Sequence, residues 1–289
     1  MTFSAVVVIH DSAGHLPALF DSLERHVAPT PQVIVVDSGS RDGGAEIAAA
    51  RGAEVVTLDA NRGFGAANNA GLEHARHEVT VLLNPDCELR DGSLQRLAAA
   101  AAGRDALLVP RLLNSDGSLQ RSAHPLPGRA SALLPALLAP RALPRRARDA
   151  FEPWRSATPR CVGWAIAACV AARTGLLRHL GPFDAGAFLF YEDMDLCLRA
   201  RAAGVPTELR PEAVVVHHGS HATRPAFGGE AFDLQARRRR EVVGANLGPR
   251  AVRLDDAAQA LTFAARAAVG RQRDRNLAML SALRRARGD

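Results

Sequence analysis

Short apolar runs separated by amphipathic stretches dominate the first hundred residues. Ser4–Ile9 is a continuous run of mostly β-branched side chains, and residues 15–27 set their apolar positions at helical spacing. The alternation continues with strand at 33–36, helix at 45–51, strand at 55–58, helix at 64–75, strand at Val79–Leu83 and helix at Ser93–Ala102. Strands that lack a polar face must be covered on both sides, which is the mark of a parallel sheet flanked by helices. The expected class is therefore α/β with a mostly parallel sheet. Ligands of such sheets bind beyond the carboxyl ends of the strands. Asp11, Asp37 and Asp86 each fall at or just past a strand end, so one crevice can collect all three.

Further along, Asn114-Ser-Asp-Gly117 is a hairpin-turn signal between Leu112 and Leu119. Residues 124–159 are rich in Pro, Ala and Arg and hold no clean period, which predicts a partly helical excursion. An apolar segment of small residues at 161–171 leads into Thr174–Leu180. A helix is expected at 192–203 and a short strand at 213–216, ending at His217. Past Gly229 the pattern is helical, with Leu254, Ala258, Leu261, Ala264 and Ala265 on one face, and 276–287 forms a basic amphipathic helix. The chain divides into an α/β domain at 1–228 and a basic helical extension at 229–289.

Composition narrows the chemistry. All 36 basic residues are arginine, so a Walker-type phosphate loop, a Schiff-base lysine and a lysine general base are ruled out. The net charge of +6 is concentrated at the end, where residues 235–289 hold 13 Arg against 5 acids. That asymmetry does not fit a chain-wide nucleic-acid footprint, and it leaves open an anionic membrane surface facing the tail. Cys87, Cys161, Cys169 and Cys197 lie far apart with no Cys-x-x-Cys spacing, as expected of reduced thiols. The chain opens directly on a strand, without the charged and apolar regions of a signal peptide, and no apolar run is long enough to span a bilayer. A cytoplasmic location is expected, with association at the inner face of the membrane as an option for the tail.

Four groups of residues carry candidate chemistry. In the first, the strand at 33–36 delivers Asp37 into Ser38-Gly-Ser-Arg-Asp42-Gly43, where a carboxylate can accept a hydrogen bond from a nucleoside. Ser40 or Asp42 also reads as a helix N-cap. The second group, Asn61-Arg-Gly63-Phe-Gly-Ala-Ala-Asn68-Asn69-Ala-Gly71, allows an anion close to backbone N–H groups at a helix start. A flexible loop with a tight contact at Gly71 explains it equally well. The third, Asn84-Pro85-Asp86, ends a strand abruptly and presents hard carboxylate oxygens that suit Mg²⁺ or Mn²⁺ on a diphosphate.

In the fourth group, Gly181-Pro-Phe183-Asp184 precedes Phe188-Leu-Phe-Tyr191-Glu192-Asp193-Met-Asp195-Leu-Cys-Leu-Arg199. Acids in a first helical turn are favoured by the dipole, but three in four positions repel, which calls for a counter-cation, a raised pKa or both. Arg199 is spaced to pair with Asp195. His217, at the end of the last core strand, offers a nitrogen ligand. His217, His218 and His221 as a zinc site by themselves lack the further ligands that zinc needs.

Taken in this order and spacing, the four groups resemble the inverting glycosyltransferases of family 2, and especially the bacterial rhamnosyltransferase-like branch. The resemblance runs from about Ser4 to His218. It implies the GT-A nucleotide-diphospho-sugar transferase fold and transfer of a sugar from a UDP- or dTDP-linked donor to a hydroxyl of a glycan or lipid-linked acceptor. It further implies donor binding by Asp11, Asp37, Ser38, Asn61, Gly63, Asn69, Asn84 and Asp86, with Asp37 on the base and Asp86 and His217 on the metal. Asp193 becomes the base that deprotonates the acceptor, Glu192 and Asp195 shape that site, and Trp164 lies on the acceptor side.

The pattern departs at His10-Asp11, where the family has an aromatic followed by Asn, and at Ser38, where it has Asn. Both changes bear on which nucleotide is read. Residues 235–240 resemble the Gln-x-x-Arg-Trp motif of processive synthases but lack the Trp, so addition of a single sugar is expected. Two other readings compete. A nucleotidyltransferase of similar fold needs an N-terminal Gly-rich loop that is absent here, and a non-catalytic nucleotide-sugar binder would not require Asp37, Asp86, Asp193 and His217 together.

Overall fold

The computed structural model describes residues 1–133, 144–181, 183–184, 189–219, 231–270 and 272–288. The opening alternation yields β1 (Ser4–Ile9), α1 (Leu16–His26), β2 (Gln32–Asp37), α2 (Gly44–Ala50), β3 (Glu54–Thr57), α3 (Phe64–Glu73), β4 (Val79–Leu83), β5 (Cys87–Glu88) and α4 (Ser93–Ala102). β1 pairs in parallel with β2 and with β4, and β2 with β3. Every residue of β1 and β4 is buried, as the unbroken apolar runs require. Val6, Val8, Ile34, Val36 and Leu82 point into one core, while Ala5, Val7, Ile9, Val35, Val81 and Leu83 point into the other. The period-two alternation thus feeds two apolar layers, one under each face. Gly71 of α3 lies so close to the sheet that a Cβ there would overlap the Val6 side chain and meet Val36 Cγ2 at 2.8 Å.

The second half brings β6 (Leu107–Leu113), β7 (Ala123–His124), α5 (Arg145–Phe151), β8 (Arg160–Val162), β9 (Trp164–Ala165), β10 (Cys169–Arg173), α6 (Thr174–Leu180), α7 (Glu192–Ala202) and β11 (Thr207–His217). The main sheet runs β3-β2-β1-β4-β10-β6-β11-β5, with β8 on β11, and β7 and β9 form a separate pair. β10 is antiparallel to both β4 and β6, whereas β6 and β11 are parallel, so the sheet is mixed but mostly parallel.

Three features depart from the sequence-based expectation. β6, a central strand, falls in a stretch where only the hairpin turn at its end was expected; that turn is present, with Leu113 bridged antiparallel to Leu119. The apolar segment at 161–171 is three short strands, because Gly163 brings the chain against the backbone of Pro125 and Leu126, where no Cβ would fit. β11 runs eleven residues, from Thr207, where only 213–216 was expected. Its first part alternates Glu208, Arg210 and Glu212 with buried residues, and a register shift between Arg210 and Val214 accommodates Pro211.

The extension forms α8 (Phe232–Leu247), α9 (Pro249–Ala268) and α10 (Arg273–Arg287), which pack on one another. Val242 and Val243 of α8 are buried in the same apolar cluster as Met194 and Leu198 of α7. The expected boundary at 228/229 lies outside the described residues. Among the described residues, no helix is long and apolar enough to cross a membrane.

Candidate active site

The carboxyl edge of the sheet gathers the first three groups. Asp37 ends β2, in register with Ile9 of β1, and is buried, its Oδ1 accepting the Ser40 N–H at 2.8 Å. Asp11, at φ 48°, binds across to this turn, with Oδ1 accepting the Arg41 N–H at 2.8 Å. Asp42 accepts from Gly44 at 3.1 Å and from Ala13 at 2.6 Å, so it is the acid that ties the start of α2 to the loop after β1. Ser38 Oγ contacts Asn61 Oδ1 at 3.4 Å and accepts the Arg62 N–H at 3.2 Å, and Asn61 Oδ1 also accepts from Gly63. Two loops distant in sequence thereby form one polar floor. Asn69 engages the backbone of Phe183 at both ends of its amide, at 2.9 and 3.1 Å, and ties α3 to the acid-bearing loop.

Asp86 sits in the turn after β4, only 3% exposed. Its Oδ1 lies 3.3 Å from Nε2 of His217, the last residue of β11, although 131 positions separate them in the chain. Asn84 Nδ2 is also 3.3 Å from that nitrogen, and Asn84 Oδ1 is buried without a hydrogen-bond partner. The other ring nitrogen of His217, Nδ1, donates to Gln120 Oε1 at 2.9 Å. Gln120 in turn donates to Asn114 Oδ1, which fixes its amide orientation and hence the histidine tautomer. An oriented imidazole beside a buried carboxylate and an unpartnered amide oxygen is a donor set that fits a hard divalent cation. Among the described residues no group of three or more His, Cys, Asp or Glu side chains converges, so the remaining ligands of such an ion would have to be amide, water or substrate oxygens. His218 is engaged elsewhere, with Ser115 Oγ and Glu88, and His221 lies outside the described residues.

The fourth group opens α7. Phe190 and Tyr191 both take left-handed backbone conformations, φ 74° and 63°, and the chain then enters the helix with Glu192, Asp193 and Asp195 in its first turn. The three acids find three different solutions to their repulsion. Asp195 pairs with Arg199 at 2.7 Å. Glu192 is buried, with Oε2 lacking a hydrogen-bond partner, and burial followed by the charge of Asp193 pushes its pKa up to about 8. Burial also pushes Asp193 up to about 6, limited by the backbone N–H groups of Met194 and Ala167 that its carboxylate accepts. Near neutral pH the pair therefore carries one negative charge, on Asp193.

Trp164 forms the wall beside these acids. It stacks on His124 with ring centroids 4.2 Å apart and meets Tyr191 edge-on at 6.2 Å. Burial holds His124 down to about 3, so the stacked imidazole is neutral. Gln120, His124, Arg239 and Asn246 were not singled out from the sequence. Gln120, His124 and Asn246 sit in segments without a motif, and Arg239 belongs to the 235–240 run, which the sequence marked for its charge and not for a place beside α7.

A model described as glycosyl transferase family 2 matches residues 4–166, more than half of the chain. The chain belongs to glycosyl transferase family 2. This family 2 glycosyltransferase is 30% identical over 241 residues to the N-acetylglucosaminyl-diphospho-decaprenol L-rhamnosyltransferase of Mycobacterium tuberculosis, a match covering 75% of this chain and 76% of that one. Among solved structures, it resembles a mannosyltransferase from Pyrobaculum calidifontis in complex with GDP-Man and Mn²⁺, at TM-score 0.56 and 16% identity over 98% of this chain and 85% of that one. It also resembles glucosyl-3-phosphoglycerate synthase from Mycobacterium tuberculosis in complex with Mn²⁺ and UDP, at TM-score 0.56 and 17% identity over 85% and 80%. The enzyme has the GT-A fold.

Proposed function

We propose that this glycosyltransferase moves a sugar, rhamnose on the strength of its similarity to the mycobacterial enzyme, from a UDP- or dTDP-linked donor to a hydroxyl of a lipid-linked glycan, with inversion. The observation that carries the reading is the meeting of buried Asp86 with an oriented His217 at the sheet edge, where Asp37 ends β2, two positions from β4 in the sheet order. Asp37 receives the pyrimidine base of the donor, with Asp11, Ser38, Asn61 and Gly63 shaping its floor. Asp86 and His217, with Asn84 beside them, would hold a divalent cation, and a carboxylate–imidazole pair suits Mn²⁺ better than Mg²⁺. When bound, such an ion supplies positive charge against the diphosphate.

Asp193 takes the proton of the acceptor hydroxyl as its oxygen forms the new bond to the anomeric carbon. The bond from that carbon to the diphosphate breaks on the opposite face, and its electron pair leaves with the nucleotide. Glu192, carrying its own proton near pH 7, leaves the adjacent carboxylate as the single ionised group. Trp164 offers an apolar wall to the acceptor sugar. The basic tail contributes less to any membrane contact than its composition suggests. Arg238, Arg239 and Arg240 pair internally with Glu241, Asp255 and Asp256, which leaves Arg237 exposed in that run. Peripheral contact with an anionic membrane is assigned to Arg237 and the exposed face of α10.

The test is a turnover screen over UDP-, dTDP- and GDP-sugars with a lipid-linked N-acetylglucosamine acceptor, with and without Mn²⁺. Metal-dependent turnover of one donor, with inverted product, is the expected result. Metal-dependent nucleotide binding without turnover of any sugar would favour a non-catalytic binder.

A further inference from the structure

Helix α8 carries Arg239 into the back of the corner where α7 begins. Its guanidinium makes two hydrogen bonds to Asp255 of α9, Nε to Oδ2 at 2.7 Å and Nη2 to Oδ1 at 2.8 Å. The two side chains are 17% and 6% exposed. The same guanidinium lies 5.5 Å from the centroid of the Tyr191 ring and interacts with its hydroxyl. Two turns along, Asn246 Nδ2 donates to Asp195 Oδ1 at 2.9 Å, while Arg199 holds the other oxygen of that carboxylate. With Val242 and Val243 packed in the cluster of Met194 and Leu198, α8 grips α7 at its preceding residue, its first turn and its apolar face.

Two physical arguments give this grip a purpose. Consecutive aromatic residues at positive φ are strained and persist only where the surroundings enforce them. A buried Arg–carboxylate pair is itself a poor source of stability, since an apolar pair of similar volume often serves as well or better. What the fork of a guanidinium supplies, and an apolar side chain does not, is a fixed direction. Here the fork is fixed by Asp255 and aimed at Tyr191, the residue that immediately precedes Glu192 and Asp193.

We propose that Arg239, held by Asp255, is a positioning residue for sugar transfer: it locks Tyr191 in its left-handed turn and so sets where Asp193 stands in the cleft. The helical extension is then part of the transfer machinery. The inference rests on Asp193 as the base, and Asp193→Asn tests that reading separately.

Tyr191 is the only tyrosine in the chain, so ring-¹³C-labelled tyrosine gives a single set of signals that reports this contact. In Arg239→Met the Tyr191 signals should move, donor affinity measured by calorimetry should stay within about twofold, and kcat should fall about 10²-fold, the scale of a misplacement near 1 Å. Arg239→Lys, which keeps the charge but not the fork, should recover part of kcat. A merely structural role would lower the melting temperature and leave kcat and the Tyr191 signals unchanged well below it.

Folded Arg239→Met with kcat near the parent value, or with unmoved Tyr191 signals, overturns the proposal. If Arg239→Met does not fold, Tyr191→Phe decides: a roughly tenfold loss of kcat at kept donor affinity supports it, and unchanged kcat overturns it. Normal turnover by Asp193→Asn would instead remove the base assignment, while the Tyr191 signals would still test the clamp.

Discussion

Glu192 is buried at the start of α7 with one carboxyl oxygen lacking a partner, and replacing it with Gln reproduces its protonated shape without the proton. In the folded chain this carboxyl holds its proton to about pH 8, against a usual value of 4.5, because burial and then the Asp193 charge disfavour ionisation. An unfolded chain releases the proton near the usual value, so between these limits unfolding is accompanied by proton release. The contribution of Glu192 to stability is therefore complete below pH ~4.5 and declines as pH rises toward 8. The slope approaches about 1.4 kcal/mol per pH unit, several kcal/mol over the window. Urea unfolding of the parent and of Glu192→Gln at half-unit steps from pH 5 to 8 isolates this term as the difference between two curves. The variant should gain on the parent steadily with pH, and its kcat near pH 7 should stay within about threefold, since an uncharged group is present in both. Parallel stability curves would show that Glu192 ionises normally, and the account of Asp193 as the single charge of the pair would fall with it.

The remaining predictions address the other parts of the site and its support. Asp193→Asn should lower kcat by about 10²–10⁴-fold while calorimetry shows nucleotide binding kept. The parent kcat should fall on the acid side with an apparent pKa near 6, the value to which burial lifts Asp193; a limb near pH 4 in a pH–rate profile would contradict that environment. His217→Ala should abolish Mn²⁺-dependent nucleotide binding, and Gln120→Leu, which frees the imidazole to rotate, should weaken Mn²⁺ affinity by about 10–100-fold in the same titration. Gly71→Ala should destabilise the fold by about 1–3 kcal/mol in chemical denaturation despite the better helix propensity of Ala, because the new methyl overlaps the Val6 side chain.

Much of the first half was legible in the sequence because its signals are local. β1, β4 and α4 have the limits expected from apolar runs and helical spacing alone, and the other expected elements before Ser93 differ by a few residues at most, while the two-residue β5 was not expected. The second half resists such reading for a physical reason: its strands take their identity from neighbours rather than from their own pattern. β6 contains Pro110 and Arg111, both weak in a strand signal, and is recruited by β10 and β11 on either side. The early part of β11 alternates charge with burial and includes Pro211, a residue that argues against a strand until the register shift is seen. Within the site, the resemblance pointed to Asp86 and His217, which the structure brings together, but not to Gln120, whose part depends on a contact across 97 residues. Asn69 belonged to a recognisable motif, yet its observed partner is the backbone of Phe183, which no spacing rule discloses.

The strand order has a consequence for how this enzyme is made. The stretch matched by the family ends at residue 166, yet the strand seated between β4 and β6 is β10, which starts at Cys169. A polypeptide cut at that limit would have two bare margins with nothing between them, and open margins of this kind invite association with other chains. During synthesis the sheet between β4 and β6 stays unfinished until β10 has emerged. Fusing this first stretch to the second part of a relative at that limit would cut through the middle of a sheet, so a workable exchange has to carry β10 along with the part it completes.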